Sequence, residues 1–205
     1  MNSPKVKLSI LFIDKVLRSL LGLVSFIFLA KYLTPNEVGI YSLVMAIILI
    51  SAGLIGFGIT SVVVVNAAKN YSENSNIIQR DFFIRFLSSF SIFGISLFLV
   101  FIFYGESEVS FYYLIASIYL ISQISVTFEN DLKARGDPHK IALIKILPTI
   151  FAFFAKLYVL INFNSLGLFF AVIVLESIVI LISLIYLSSI SMSSAILNNL
   201  NKSFL

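Results

Sequence analysis

Six ionisable residues stand inside long apolar runs of this chain: Asp14, Lys15, Arg18, Lys145, Lys156 and Glu176. A charge at the centre of a membrane helix costs at least ~2.5 to 3.5 kcal/mol, so groups placed there are binding or coupling candidates by default. Asp14 and Arg18 are spaced i,i+4 with the acid first, which lets them pair along one helix face that Gly22 and Ser25 continue. Such a face either lines a cavity or is a self-satisfied pair. Glu176 has only Val172, Ile173, Leu175, Val179 and Ile180 near it in sequence, so it takes up a proton, serves a ligand, or finds Lys156 or Arg18 on another helix. Lys145, close to the inner end of its run, is expected to snorkel to the interface, whereas Lys156 can equally snorkel or turn inward. Ser122, Gln123, Ser125 and Thr127 form a polar stripe that can line a cavity or hold helices together.

Other chemistries are excluded by what the chain lacks. It has no Cys and one His, His139, so there is no thiolate nucleophile, disulfide or histidine-rich metal centre, and no cofactor is implied. His139, beside Pro138 in a basic loop, is expected to be solvated. Gly53, Gly56 and Gly58 lie in a hydrophobic helix with no preceding strand, which suits close packing or a hinge and not a phosphate loop. The net charge of +4 would suggest nucleic acid only if the basic residues formed a solvated patch, and they fall instead at the ends of apolar runs.

The elements that position these groups are membrane helices. Of the 205 residues 60% are hydrophobic and 12% charged, and the mean hydropathy is +1.06, which excludes a water-soluble globule. A ~30 Å hydrocarbon core takes about 20 helical residues. Six runs qualify, at about 10–30, 40–65, 82–104, 111–128, 141–161 and 166–187. They are separated by turn chemistry at Thr34 to Asn36, Asn70 to Asn76, Gly105, Gly136 to Pro138, and Asn162 to Ser165. The sequence therefore predicts an all-α integral membrane protein, a bundle of six transmembrane helices over residues 1–190, with 191–205 a cytoplasmic tail or the start of a loop. Pro148 should bend the fifth run. The first run is too long and too charged for a removable signal peptide.

Nine basic residues, Lys5, Lys7, Lys69, Arg80, Arg85, Lys133, Arg135, Lys140 and Lys202, fall on one side of this topology and only Lys31 on the other. The positive-inside bias then puts both termini in the cytoplasm. With no Trp, aromatic anchoring at the outer boundary falls to Tyr32, Tyr104, Tyr112, Tyr113 and Tyr158. Counting ~1.5 Å per residue puts Arg18 about 12 to 15 Å from the inner end of its run and Glu176 about 15 Å from the outer end of its own. Both come near the midplane.

Several local patterns resemble one family. The stretch Ala30-Lys31-Tyr32-Leu33-Thr34-Pro35-Asn36-Glu37-Val38-Gly39-Ile40-Tyr41 is similar to the A-R-Y-L-G-P-E-E-Y-G-x-Y stretch of polysaccharide and O-antigen flippases, within the multidrug/oligosaccharidyl-lipid/polysaccharide exporter superfamily. It departs at Lys31 and Thr34. Leu132 to Lys140 resembles the family's fourth-to-fifth helix connection, and Leu157-Tyr158 and Leu175-Glu176-Ser177 resemble later patterns. The resemblance covers residue 5 to about 190, which is one lobe, the N-terminal one, of a two-lobed exporter.

What the resemblance implies is export of undecaprenyl-diphosphate-linked oligosaccharide across the bacterial cytoplasmic membrane. The partners are then membrane lipid, the lipid-linked oligosaccharide, and a second transporter lobe or another copy of the chain, with no nucleic acid. A diphosphate crossing lipid needs cationic partners, and Arg has the planar fork for it. Arg18, then Lys156, with Gln123, are the expected substrate contacts, while Glu176 and Asp14 are the expected coupling or counter-ion carboxylates. A drug or cation exporter of the same superfamily and a non-transporting truncated membrane subunit are the alternatives. A membrane glycosyltransferase would need a large external loop or clustered acids, and the outer loops hold only Glu37, Glu106 and Glu108.

Overall fold

The computed structural model of the chain describes residues 4–56, 60–69, 74–136 and 138–202, with side chains placed for 12–56, 60–69, 77–136 and 139–188. Among the described residues every regular element is helical: α1 (Pro4–Tyr32), α2 (Pro35–Gly56), α3 (Thr60–Lys69), α4 (Asn74–Tyr104), α5 (Glu108–Ser122), α6 (Ser125–Ala134), α7 (Pro138–Phe163) and α8 (Leu166–Lys202).

Helix ends fall where the turn chemistry predicts. Pro35 occupies the first position of α2, where its missing N–H costs nothing. Before it, the Thr34 N–H donates to Glu37 Oε2 at 2.9 Å and the Glu37 N–H to Thr34 Oγ1 at 3.4 Å, a reciprocal capping box. Gly105 (φ 56°) and Gly136 (φ 76°) turn the chain with the left-handed backbone that side chains disfavour, and Asn164 (φ 45°) does so between α7 and α8. Asn70 to Tyr71, Ser72 and Glu73, Asp137 and Gly58 lie outside the described residues.

Five helical stretches are long and apolar enough to cross a membrane: Pro35–Lys69, Ile77–Tyr104, Glu108–Ala134, His139–Phe163 and Leu166–Ser188. These match the second to sixth expected spans. The first is not among them, because Asp14, Lys15, Arg18 and Lys31 break its apolar run, although α1 is long at 29 residues. The outward faces are what lipid requires, with Phe103 76%, Phe83 71% and Phe98 67% exposed along α4. In water such a surface would drive aggregation.

Two expectations are corrected in the fold. The Ser- and Asn-rich stretch after Leu187 continues as helix α8 as far as Lys202, where its composition predicts a tail or loop. Tyr113 is wholly buried and so is no interfacial anchor, unlike Tyr104 and Tyr158, which are exposed.

The fourth span is two helices. Between α5 and α6 the backbone makes i→i−3 bonds, Gln123 N–H to Leu120 O at 3.2 Å and Ile124 N–H to Ile121 O at 3.3 Å, so the α-helical ladder is interrupted there. Serine hydroxyls bonded back onto the preceding turn compete with that ladder, as Ser122 Oγ does to Tyr119 O at 2.6 Å. α1 packs chiefly on α7, α5 on α2, α4 and α8, and α3 on α4 and α6. The main core is apolar, around Leu29, Val44, Ile48, Tyr113, Leu120, Leu160 and Phe170. Smaller apolar clusters join Val63 with Ala67 and Ile78, and Leu132 with Ile141 and Leu184.

Candidate functional site

The apolar packing leaves a cleft of about 480 Å³ between α1, α2, α5, α6, α7 and α8. Helical spacing aims polar groups into it. On α1 the face Arg18, Gly22 and Ser25 lines it; on α7 the lining residues Lys145, Thr149 and Lys156 fall at i, i+4 and i+11. Gln123, at the α5–α6 break, lines it together with Ser122 and Ser125, and α8 contributes Glu176 and Ser177. The stripe on the fourth span thus divides: Thr127 is fully buried on the far side of α6, with its hydroxyl unpartnered.

Of the five site residues predicted from sequence, Arg18, Lys156, Gln123 and Glu176 share this one cleft. Asp14 stands just behind it, buried, accepting a hydrogen bond from Arg18 Nη2 at 2.5 Å. The Arg18 side chain keeps 36% of its surface exposed, so the guanidinium remains reachable. Glu176 has its partner on the neighbouring helix: Lys156 Nζ donates to Glu176 Oε2 at 2.7 Å, each side chain 15% exposed. Of the two partners the spacing allowed, the structure selects Lys156. That lysine does not snorkel. Lys15, by contrast, is exposed and is absent from the cleft lining.

Lys145 corrects the expectation of snorkelling. It turns into the inner end of the cleft and pairs with Glu129 of α6, the two side chains 15% and 10% exposed. Glu129 also lies 3.6 Å from Lys133 on its own helix. His139 is half-buried with Nδ1 unpartnered, and not simply solvated.

A second polar cluster joins α3, α4 and α6 beneath the cleft. Arg85 Nε donates to both oxygens of Asp81 at 3.1 Å, Arg85 Nη2 to Thr60 Oγ1 at 2.8 Å, and Asn130 Nδ2 to Asp81 Oδ2 at 3.2 Å. Arg85 is 3% exposed, so it is a buried structural cation rather than one of the interfacial residues of the inner side. Gly56 packs beside it: a Cβ there would stand 3.4 Å from Arg85 Nη1. On α6 Arg135 Nε donates to Asp131 Oδ1 at 2.8 Å. Glu129, which lines the cleft, and the buried acids Asp81 and Asp131 are groups that sequence reasoning missed. The signal was available: Asp81/Arg85, Glu129/Lys133 and Asp131/Arg135 repeat the acid-first i,i+4 spacing of Asp14/Arg18.

Fold and site together define a multi-pass, all-helical membrane protein whose charged groups converge on a cleft inside the bundle. A family model described as polysaccharide biosynthesis protein matches residues 6–203, and the chain belongs to that family. Neither a curated protein nor a solved structure matches it. Its role is accordingly in polysaccharide biosynthesis and export at a membrane, as the resemblance of the first loop implied.

Proposed function

We propose that the protein is a transporter and not an enzyme, and that it moves undecaprenyl-diphosphate-linked oligosaccharide across the bacterial cytoplasmic membrane for surface polysaccharide or O-antigen synthesis. The observation that carries this is the convergence of Arg18, Gln123, Lys156 and Glu176 on one cleft in a chain of the polysaccharide biosynthesis family. A diphosphate leaving water needs charge-assisted donors, and the half-exposed Arg18 fork supplies two parallel ones. Gln123 offers amide donors and acceptors to sugar hydroxyls or phosphate. Lys156 joins when Glu176 releases it, and Glu176 and Asp14 are the carboxylates that exchange a coupling proton or cation.

In this proposal α1 is a sixth span, its charges facing the cleft, and residues 1–190 form one lobe with both termini cytoplasmic. Alternating access moves that lobe against a second one, supplied by further chain or by association. A drug or cation exporter is less well supported, because the cleft lining carries the three cations Arg18, Lys145 and Lys156 against the two carboxylates Glu129 and Glu176. The test is surface-polysaccharide display in cells where this protein is the sole exporter. Arg18→Ala should abolish display at matched membrane levels, with Arg18→Lys restoring part of it. Wild-type display by Arg18→Ala would remove the residue from the site, and tight binding of organic cations without any effect of lipid diphosphate would favour the alternative.

A further inference from the structure

The cleft is lined differently toward its two ends. Toward the outer end the lining residue Tyr41 packs in an aromatic group, 5.7 Å from Phe169, 5.6 Å from Phe170 and 6.1 Å from Phe26, ring centre to ring centre. Toward the inner end the lining is charged. Glu129 and Lys145 are the innermost lining residues of α6 and α7, and Arg18 is the innermost on α1. Below the Glu129–Lys145 pair sits a small apolar seal, Leu132, Ile141 and Leu184, which joins α6, α7 and α8.

These linings differ in what can undo them. Ring-on-ring packing offers an anion little beyond the Tyr41 hydroxyl, so a charged headgroup competes poorly with the aromatic group. A lysine–carboxylate pair is exchangeable, because an arriving phosphate leaves the lysine charge-paired throughout and avoids the cost of an unpaired buried cation. Glu129 is suited to be the group displaced, since Lys133 stands 3.6 Å from it on the same helix and can take it over. α6 is also a helical segment distinct from α5. It begins at the break in the α-helical ladder at Gln123 and Ile124 and ends at the left-handed Gly136.

We propose that Lys145 and Glu129 form an entry subsite for a diphosphate headgroup at the inner mouth of the cleft, with Glu129 as its displaceable counter-ion and α6 as the element it latches. The subsite rests on the anionic substrate proposed above. The headgroup takes the place of Glu129 on Lys145, Glu129 passes to Lys133, and α6 parts from α7 about the break at Gln123. Arg18 and then Lys156 lie successively further from the inner end, by about 1.5 Å per residue along their helices, so the headgroup meets cations in sequence. The buried Asn130–Asp81 bond, 3.2 Å long and about a quarter turn around α6 from Glu129, keeps that helix attached to α4 as it moves.

The chain has no Cys, so a single introduced thiol reports without background. Thr149 lines the cleft one turn above Lys145 and is buried. In inside-out vesicles, Thr149→Cys should react slowly with an impermeant maleimide. Glu129→Gln, nearly isosteric, should speed labelling about tenfold, in keeping with the coupling of contacting pairs. The exchanged pair Glu129→Lys with Lys145→Glu should return it to the slow rate. Millimolar inorganic pyrophosphate should speed labelling in the Thr149→Cys protein and have no effect once Lys145→Gln is added. Unchanged labelling in Glu129→Gln, with the exchanged pair also indistinguishable, overturns the latch whatever the substrate is. Labelling raised by Glu129→Gln but indifferent to pyrophosphate overturns the proposal through its anionic premise, and Arg18→Ala then tests that premise separately.

Discussion

The pair between α7 and α8 makes the sharpest test of what the cleft charges do. At 2.7 Å, Lys156 and Glu176 attract by about 6 kcal/mol at an effective dielectric near 20. Withdrawing two ions from water costs several kcal/mol each, so the intact pair contributes little net stability. Removing one partner is different, because the survivor is a charge whose side chain keeps only 15% of its surface exposed. Lys156→Met and Glu176→Gln should therefore each destabilise by about 3 kcal/mol, the low end for a buried pair given that residual solvent contact. By soluble-domain scaling that is a melting shift of roughly 6 to 12 °C. The double variant should lose far less than the sum, with a coupling energy of about 2 to 3 kcal/mol.

The assay is thermal unfolding of purified protein beside surface-polysaccharide display at matched membrane levels. A double variant that is stable but displays nothing assigns the pair to transport. One that is stable and displays normally makes it a structural tie and removes both residues from the substrate site. Strict additivity of the two melting shifts would refute the reasoning at its base, since uncoupled residues do not form the pair.

Four further outcomes follow from particular contacts. Arg85→Ala strands the buried Asp81 carboxylate and should cost about 3 to 5 kcal/mol, with Arg85→Lys failing to restore it because one ammonium cannot reproduce the fork to Asp81 and Thr60. The same change at exposed Arg80 should stay within about 0.5 kcal/mol, and the two melting curves check both statements. Tyr113→Phe removes a buried hydroxyl that has no partner and should leave stability equal or raise it by up to about 1 kcal/mol, whereas a loss above that in the melting curve would reveal a bond to it. Cysteines at Asn36, Glu106 and Asn164 should react with an impermeant reagent in intact cells and those at Asn74 and Asp137 should not; labelling at Asp137 would overturn the topology.

The helical fold was legible because hydropathy in a membrane chain is a strong, local signal. Runs of about 20 apolar residues leave few alternatives, since lipid tolerates no unpaired backbone. Turn residues then placed most of the ends, Pro35, Gly105 and Gly136 among them. What composition could not convey was continuity. The Ser- and Asn-rich stretch after Leu187 reads as a loop by residue type, yet α8 extends to Lys202. The fourth span reads as one run, yet it breaks at Gln123 without Gly or Pro, where serine hydroxyls and backbone carbonyls find i→i−3 alternatives.

The site was half legible, and the divide has a physical cause. Arg18, Lys156 and Glu176 stand out because each is flanked by apolar residues, so the cost of burying it is visible in one dimension. Glu129 and Asp81 do not, because each lies among other charges near the end of a span, where solvation is the expected fate. Their burial is decided by which helices cover them: α7 over Glu129, α3 and α6 over Asp81. A chain read in sequence shows the price of a charge but not the partner that offsets it. Lys145 illustrates the consequence. Alone it should snorkel outward along its stem; with Glu129 across the α6–α7 contact the lower-energy direction is inward. The same spacing that marked Asp14 and Arg18 recurs at Asp81/Arg85, Glu129/Lys133 and Asp131/Arg135, and there too each acid holds a cation of its own helix or helix end.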